Sequence, residues 1–296
     1  MITIENKNFR VKISELGAEV QSVQNKSADN YEYIWTDKNK EYWQRHFPIL
    51  FPAIGRSNDN KYKLKDQVYP MMQHGFARDN TWDVLDKQDS EVTLVLNENE
   101  SSLKIYPFKF TLSVTYKLND YGLLVQSNVT NNDEKEMPFA LGFHPAFNVV
   151  ERDDGSFDDY EMTVDPLNGN LRKFGTGPVP FRNGKIEDLK GVKGNLIPLT
   201  HELLDDGLVL IDNTEIKKAE MKSSNHPRSV TVDLGNFPYM NLWSPEHQKA
   251  PFICIEPFAG LPDIASNDPI DWYQKDGNTI LKSNESKELY FQIDFK

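Results

Sequence analysis

Phe108-Lys109-Phe110-Thr111-Leu112-Ser113-Val114-Thr115-Tyr116 alternates apolar and polar residues from end to end. A strand sends successive side chains to opposite faces, so this period predicts a β-strand with one face buried and one wet. The same period recurs in Phe9–Ile13 and Ser229–Leu234, and less regularly in Glu288–Phe295. Sheets with one solvated face are antiparallel as a rule. Asn119-Asp120-Tyr121-Gly122 then reads as a hairpin connection, and Lys87-Gln88-Asp89-Ser90 as the turn between Trp82–Asp86 and Val92–Leu96.

Helical signals are sparse. Thr200-His201-Glu202-Leu203-Leu204 predicts one turn capped by Thr200, and Asp268–Tyr273 another with Pro269 in its first turn. Residues 151–194 are rich in Gly, Pro, Asp and Asn. Strands of one kind lie on both sides, so this stretch reads as a long surface excursion within a single domain over 1–296. Many strands without long helices between them predict an all-β sandwich or barrel.

Composition narrows the function. Among 296 residues, 45 are acidic and 33 basic, a net charge of −12. Phosphate backbones are bound by a surplus of Lys and Arg, so a nucleic-acid partner is excluded as a general reading. No apolar run approaches membrane-spanning length and no basic amphipathic helix is evident, so no membrane partner is expected. A single cysteine, Cys254, allows no internal disulfide. With no signal pattern after Met1, a cytoplasmic location is the expectation.

Four short islands hold the residues able to do chemistry. Phe51-Pro52-Ala53-Ile54-Gly55-Arg56 ends in an arginine whose planar fork suits two oxygens at once. Gln73-His74-Gly75-Phe76-Ala77-Arg78-Asp79 carries His74 and Arg78 around a glycine turn. Taken singly, these residues read first as surface or turn groups, with Arg78 bridged to Asp79. Gly142-Phe143-His144-Pro145-Ala146-Phe147 sets a histidine among aromatics, with Pro145 biasing it towards extended backbone. It stands level between an acid–base group and a structural histidine. Ile253-Cys254-Ile255-Glu256-Pro257-Phe258 sets one carboxylate in an apolar run. Burial either pairs it in a salt bridge or raises its proton affinity for use as a base. Trp243 reads first as a core residue and second as a platform for a sugar's apolar face. No Cys/His cluster has zinc spacing, His201-Glu202 lacks the second histidine of a zinc protease, and there is no phosphate-cradling loop or nucleophile elbow.

In this order the islands resemble the aldose 1-epimerase (galactose mutarotase) superfamily, and the nearest branch looks like the LacX-type bacterial homologues. The resemblance implies a large antiparallel β-sandwich of the galactose mutarotase-like supersandwich type, with a hexose bound in an open cleft and no cofactor or metal. It implies that His144 protonates the ring oxygen and that Glu256 takes the proton of the anomeric hydroxyl. It also implies that Arg56 and His74 hold the sugar, with Asp206 a match for the hydroxyl-binding aspartate of galactose-specific members. Arg78 within His-Gly-Phe-Ala-Arg is similar to the hexose-6-phosphate 1-epimerase branch, so a phosphosugar substrate stands as the alternative. A non-catalytic carbohydrate-binding module on the same fold is a third reading. A glycosidase ranks last, because it would want two carboxylates and only Glu256 stands out.

Overall fold

The computed structural model describes residues 1–37, 39–149, 155–205 and 207–296. The alternating run that opens the sequence becomes the strand Phe110–Leu118, whose burial alternates as expected. It pairs antiparallel with Gly122–Asn131 and with Glu91–Asn97. The intervening hairpin is set by Asn119, whose Oδ1 accepts from the N–H groups of Tyr121 (2.8 Å) and Gly122 (2.9 Å). On the wet face Thr93 and Thr115 share a hydrogen bond of 2.8 Å.

Among the described residues these strands belong to a nine-stranded sheet, with Ser286–Phe295 and Ser229–Asp233 near its middle. An eight-stranded sheet lies against it, in the order Arg182–Asp188, Arg172–Thr176, Val209–Ile211, Tyr239–Trp243, Phe252–Ala259, Leu141–Phe143 and Ile49–Leu50, with Ala146–Asn148 also on Phe252–Ala259. Side chains from both sheets merge in one core. Leu112, Val114 and Ile293 come from one side, and Phe143, Leu242 and Ile255 from the other. Phe143 and Phe291 meet across the layers with ring centres 5.0 Å apart. Burying each such ring contributes about 1.5–3 kcal/mol. The fold is an all-β antiparallel sandwich, as the sequence predicts.

Phe252–Ala259 is buried at every position. Period two explains why. Ile253, Ile255 and Ala259 enter the inter-sheet core. Phe252, Cys254 and Phe258 lie in separate clusters on the other face. Glu256 shares that second face by parity.

Two expectations are corrected. Residues 155–194 do not form a structureless excursion. Tyr160–Asp165 pairs with Lys218–Ser223 in the nine-stranded sheet, while Arg172–Thr176 and Arg182–Asp188 form a hairpin at the edge of the other. Arg182–Asp188 is almost wholly exposed, so it carries no apolar alternation to read. Asp268–Tyr273 is not helical. Lys63 N–H donates to the Ile270 carbonyl (2.8 Å) and Trp272 N–H to the Lys63 carbonyl (3.0 Å), which lays this stretch beside another strand. Trp272 stacks on Tyr62 at 3.8 Å, a burial that a single helical turn would forfeit. The turn after Thr200 does form, with Thr200 Oγ1 accepting from Leu203 N–H at 3.2 Å. A second short helix, Glu100–Ile105, has no counterpart in the sequence reading and is capped by Asn99.

Candidate active site

The outer face of the eight-stranded sheet brings the predicted site residues together. Gly142 pairs with Phe258 and Ala146 with Cys254. Both pairings share one register, which puts position 144 across from position 256. His144 Nε2 accordingly lies 3.4 Å from Glu256 Oε2. On the other side Asn241 is the register partner of Glu256 and donates from Nδ2 to Oε1 at 2.9 Å. A row of three adjacent strands thus reads His144, Glu256, Asn241. His144 is held by its own N–H, which donates to the Pro48 carbonyl at 3.0 Å. Among the described residues, its Nδ1 and Asn241 Oδ1 have no hydrogen-bond partner although both are buried.

Next to this row the two upstream islands meet. Phe76 N–H donates to the Phe51 carbonyl at 2.9 Å. His74 N–H donates to the Gly55 carbonyl (2.8 Å), and Gly55 N–H donates back to His74 Nδ1 (3.1 Å). That acceptor role leaves the proton of the neutral ring on Nε2. Glycine is required at Gly75, where φ is +72° and a Cβ would stand 2.1 Å from the Phe51 carbonyl oxygen. The turn brings the His74 ring edge-on to His144, with centres 5.8 Å apart.

These groups line one cleft of about 440 Å3, together with Arg56, Arg78 and Trp243. Arg56 is exposed on its rim. Arg78 is partly buried and donates from Nη2 to the Gln73 carbonyl at 2.8 Å. The expected bridge from Arg78 to Asp79 is long, at 3.9 Å, because Arg45 takes that carboxylate at 2.6 Å. Trp243 is not a core residue as first read. It lines the cleft and meets His144 edge-on at 5.4 Å, while Trp43 lies over His144 at 4.7 Å. Asp206 lies outside the described residues. A larger hollow of about 670 Å3 lies elsewhere, between Tyr69, Phe108 and Tyr273. Its lysines and Glu136 are exposed, so water screens them.

Burial governs the electrostatics. Glu256 is pushed well above the usual carboxylate range by desolvation, opposed by the Asn241 hydrogen bond. His144 is pushed down to about 3, by burial first and then by the Arg78 charge. His74 is lowered by the same causes in the same order. Burial, and next Arg45, lowers even the Arg78 guanidinium to about 10. Burial thus drives both His144 and Glu256 towards their neutral forms. The fold also brings together a set that sequence spacing hides: His144, Cys254 and Glu256 each offer a ligand atom, all within 4.8 Å of one another.

The aldose 1-epimerase family model matches residues 1–294. The chain belongs to the aldose 1-epimerase family. Chromosomal protein LacX of Lactococcus lactis subsp. lactis is 27% identical over 98% of this chain and 97% of its own length. A galactose mutarotase-like protein from Lactobacillus casei ATCC 334 is 57% identical in sequence, with a TM-score of 0.96 over 100% of both chains. A galactose mutarotase related enzyme from Lactobacillus acidophilus is 29% identical, with a TM-score of 0.89 over 100% of this chain and 97% of its own. In this family member, sequence reasoning missed Trp43, Arg45 and Asn241. Only Asn241 left a signal, as a lone amide between Met240 and Leu242 in a strand whose two faces are both covered.

Proposed function

We propose that this aldose 1-epimerase family member is a mutarotase that interconverts the α and β anomers of a hexose, with His144 as acid and Glu256 as base. The observation that carries this is the 3.4 Å cross-strand approach of two buried proton-transfer groups at the floor of one cleft. Ring opening takes a proton from the anomeric hydroxyl and delivers one to the ring oxygen. With His144 protonated and Glu256 ionised, one exchange opens the ring and leaves His144 neutral and Glu256 protonated. Closure on the other face of the carbonyl runs the same transfers backwards and regenerates the pair. The proton inventory closes without a redox partner or metal. Burial weights the empty cleft towards the neutral form of the pair. An anomeric hydroxyl donating to Glu256 favours the ionised carboxylate that opening needs. Arg56, His74, Arg78 and Asp206 are assigned to hold the sugar, and Trp243 to cover its apolar face. We further read residues 1–296 as one working unit in the cytoplasm.

Polarimetry on fresh α-glucose and α-galactose tests this. Positioned acid–base transfer contributes roughly a hundred- to ten-thousand-fold, so His144→Asn and Glu256→Gln should each lower the rate by about that much. Unchanged rates would remove the mechanism.

A second reading is favoured by the arginines. Arg45, Arg56 and Arg78 line this cleft in an acidic protein, and Asp79 bridges both Arg45 and Arg78. Such a surplus suits a hexose 6-phosphate. Much faster anomer exchange for glucose 6-phosphate than for glucose, lost in Arg78→Ala, would establish it.

A further inference from the structure

Cys254 is the residue on the cleft face of the sheet that the proton-transfer mechanism leaves without a task. It sits two positions from Glu256 on the same strand, and its register partners are Trp243 and Ala146. It is fully buried, while His144 and Glu256 are 6% and 1% exposed. The cleft therefore opens onto the histidine and carboxylate, with the thiol behind them. The three ligand atoms lie within 4.8 Å of one another. In a tetrahedral zinc site, ligand atoms sit roughly 3.4–3.7 Å apart, so a closure of about 1.1–1.4 Å at most completes the set. One nitrogen, one sulfur and one oxygen are the donor types that borderline-soft divalent ions select, and the cleft supplies an open fourth position.

We propose that His144, Cys254 and Glu256 form a site for a borderline-soft divalent cation, with Zn2+ as the test ion, whose binding silences the proton-transfer pair. Zn2+ takes the imidazole lone pair, the thiolate and the carboxylate. The thiol proton, and the carboxyl proton where present, leave to buffer. Two negative ligands balance the double charge of the ion, which eases its burial. While bound, it occupies both groups needed by the sugar. The inhibitory half of this rests on the epimerase reading; the binding half does not.

Cobalt(II) separates the two. Titrating the full chain with Co2+ should give one bound ion per chain and a sulfur-to-cobalt charge-transfer band in the near ultraviolet, bleached when Zn2+ displaces it. The chain has one cysteine, so that band can come from Cys254 alone. Cys254→Ala and Cys254→Ser should abolish it. In anomer-exchange assays Zn2+ should compete with the sugar. Cys254→Ala should keep the metal-free rate and weaken Zn2+ inhibition by at least about tenfold, since loss of an outer-shell partner alone typically costs 10–100-fold in metal affinity. Bound Co2+ without the sulfur band, or Zn2+ inhibition unaltered in Cys254→Ala, would overturn the proposal. If both cysteine variants misfold by circular dichroism, the band in the unaltered protein decides. A chain that shows the band but no anomer exchange would keep the metal site and lose the epimerase reading.

Discussion

Replacing Asn241 with leucine removes the donor that holds Glu256 Oε1 at 2.9 Å. Leucine has similar volume, so the strand pairing to Phe252–Ala259 is retained. The Asn241 bond favours the ionised carboxylate and is the counterweight to burial. A hydrogen bond to a charged group contributes about 1.5–3 kcal/mol, and 1.36 kcal/mol corresponds to one pKa unit. Glu256, already raised, should rise by about one to two units more. The sign follows directly. A base works when ionised, so its activity is lost as pH falls through its pKa, and a higher pKa moves that loss to higher pH. The acid limb of kcat/KM for anomer exchange should shift upward by that amount. At pH values on the limb the rate should fall roughly 10- to 100-fold, then recover as pH is raised. Polarimetric rates from pH 4.5 upward, corrected for spontaneous exchange in the same buffer, give the profile. A uniform loss at every pH would mean that Asn241 merely supports the sheet. An unmoved limb at full activity would mean that Glu256 is not the titrating base.

Stability offers further tests. His144 binds its proton at about 3 in the fold, against 6.5 for an ordinary imidazole. The unfolded chain therefore takes up a proton that the fold refuses, and the stability tied to this group, full above pH 6.5, is lost as pH falls towards 3. Tm should fall less steeply over that range in His144→Asn, and parallel curves would contradict the assignment. Lys275 bonds Asp263 at 2.7 Å with both side chains buried, so Lys275→Met should cost about 3–5 kcal/mol in urea unfolding. Adding Asp263→Asn should recover much of that loss, and a cost under about 1 kcal/mol would show the pair to be dispensable. Gly75→Ala drives a Cβ into the Phe51 carbonyl at a left-handed position, costing at least about 1–2 kcal/mol. Because the same turn aims His74, KM should rise alongside a lower Tm; a change in Tm alone would detach His74 from the sugar.

How much was legible depended on whether one face of an element was wet. Phe110–Leu118 announced itself because its polar residues meet water. Tyr160–Asp165 alternates equally well, yet glycine, proline and aspartate around it drew attention to loop chemistry. Arg182–Asp188 could not be read at all, being an exposed edge strand held by backbone pairing. At the site, His144 and Glu256 stood out because polar groups set in apolar runs are costly unless used, while His74 and Arg78 stood out through the glycine turn and the family resemblance. Arg45 and Trp43 sit in a stretch with no such contrast, and only the chain path brings them to His144. Asn241 did show as a lone amide between Met240 and Leu242, but its meaning is the carboxylate it faces, fifteen residues away along the chain.

The strand Phe252–Ala259 shows how one apolar-looking run can serve two tasks. Its odd positions, Ile253 and Ile255, fill the inter-sheet core. Its even positions are screened from water by the aromatic cleft wall, so Cys254 and Glu256 are buried without belonging to that core. Desolvation of Glu256 is thus supplied by the cleft side of the sheet, not by the side that holds the fold together. The two tasks alternate along one backbone, and the sandwich can be stabilised through its odd positions while the even ones keep a carboxylate far from its ordinary proton affinity. A carboxylate on the wet face of Phe110–Leu118 would gain no such shift, because water would solvate its charged form. The double covering that erased the alternation from the sequence is therefore also what raises the proton affinity of Glu256.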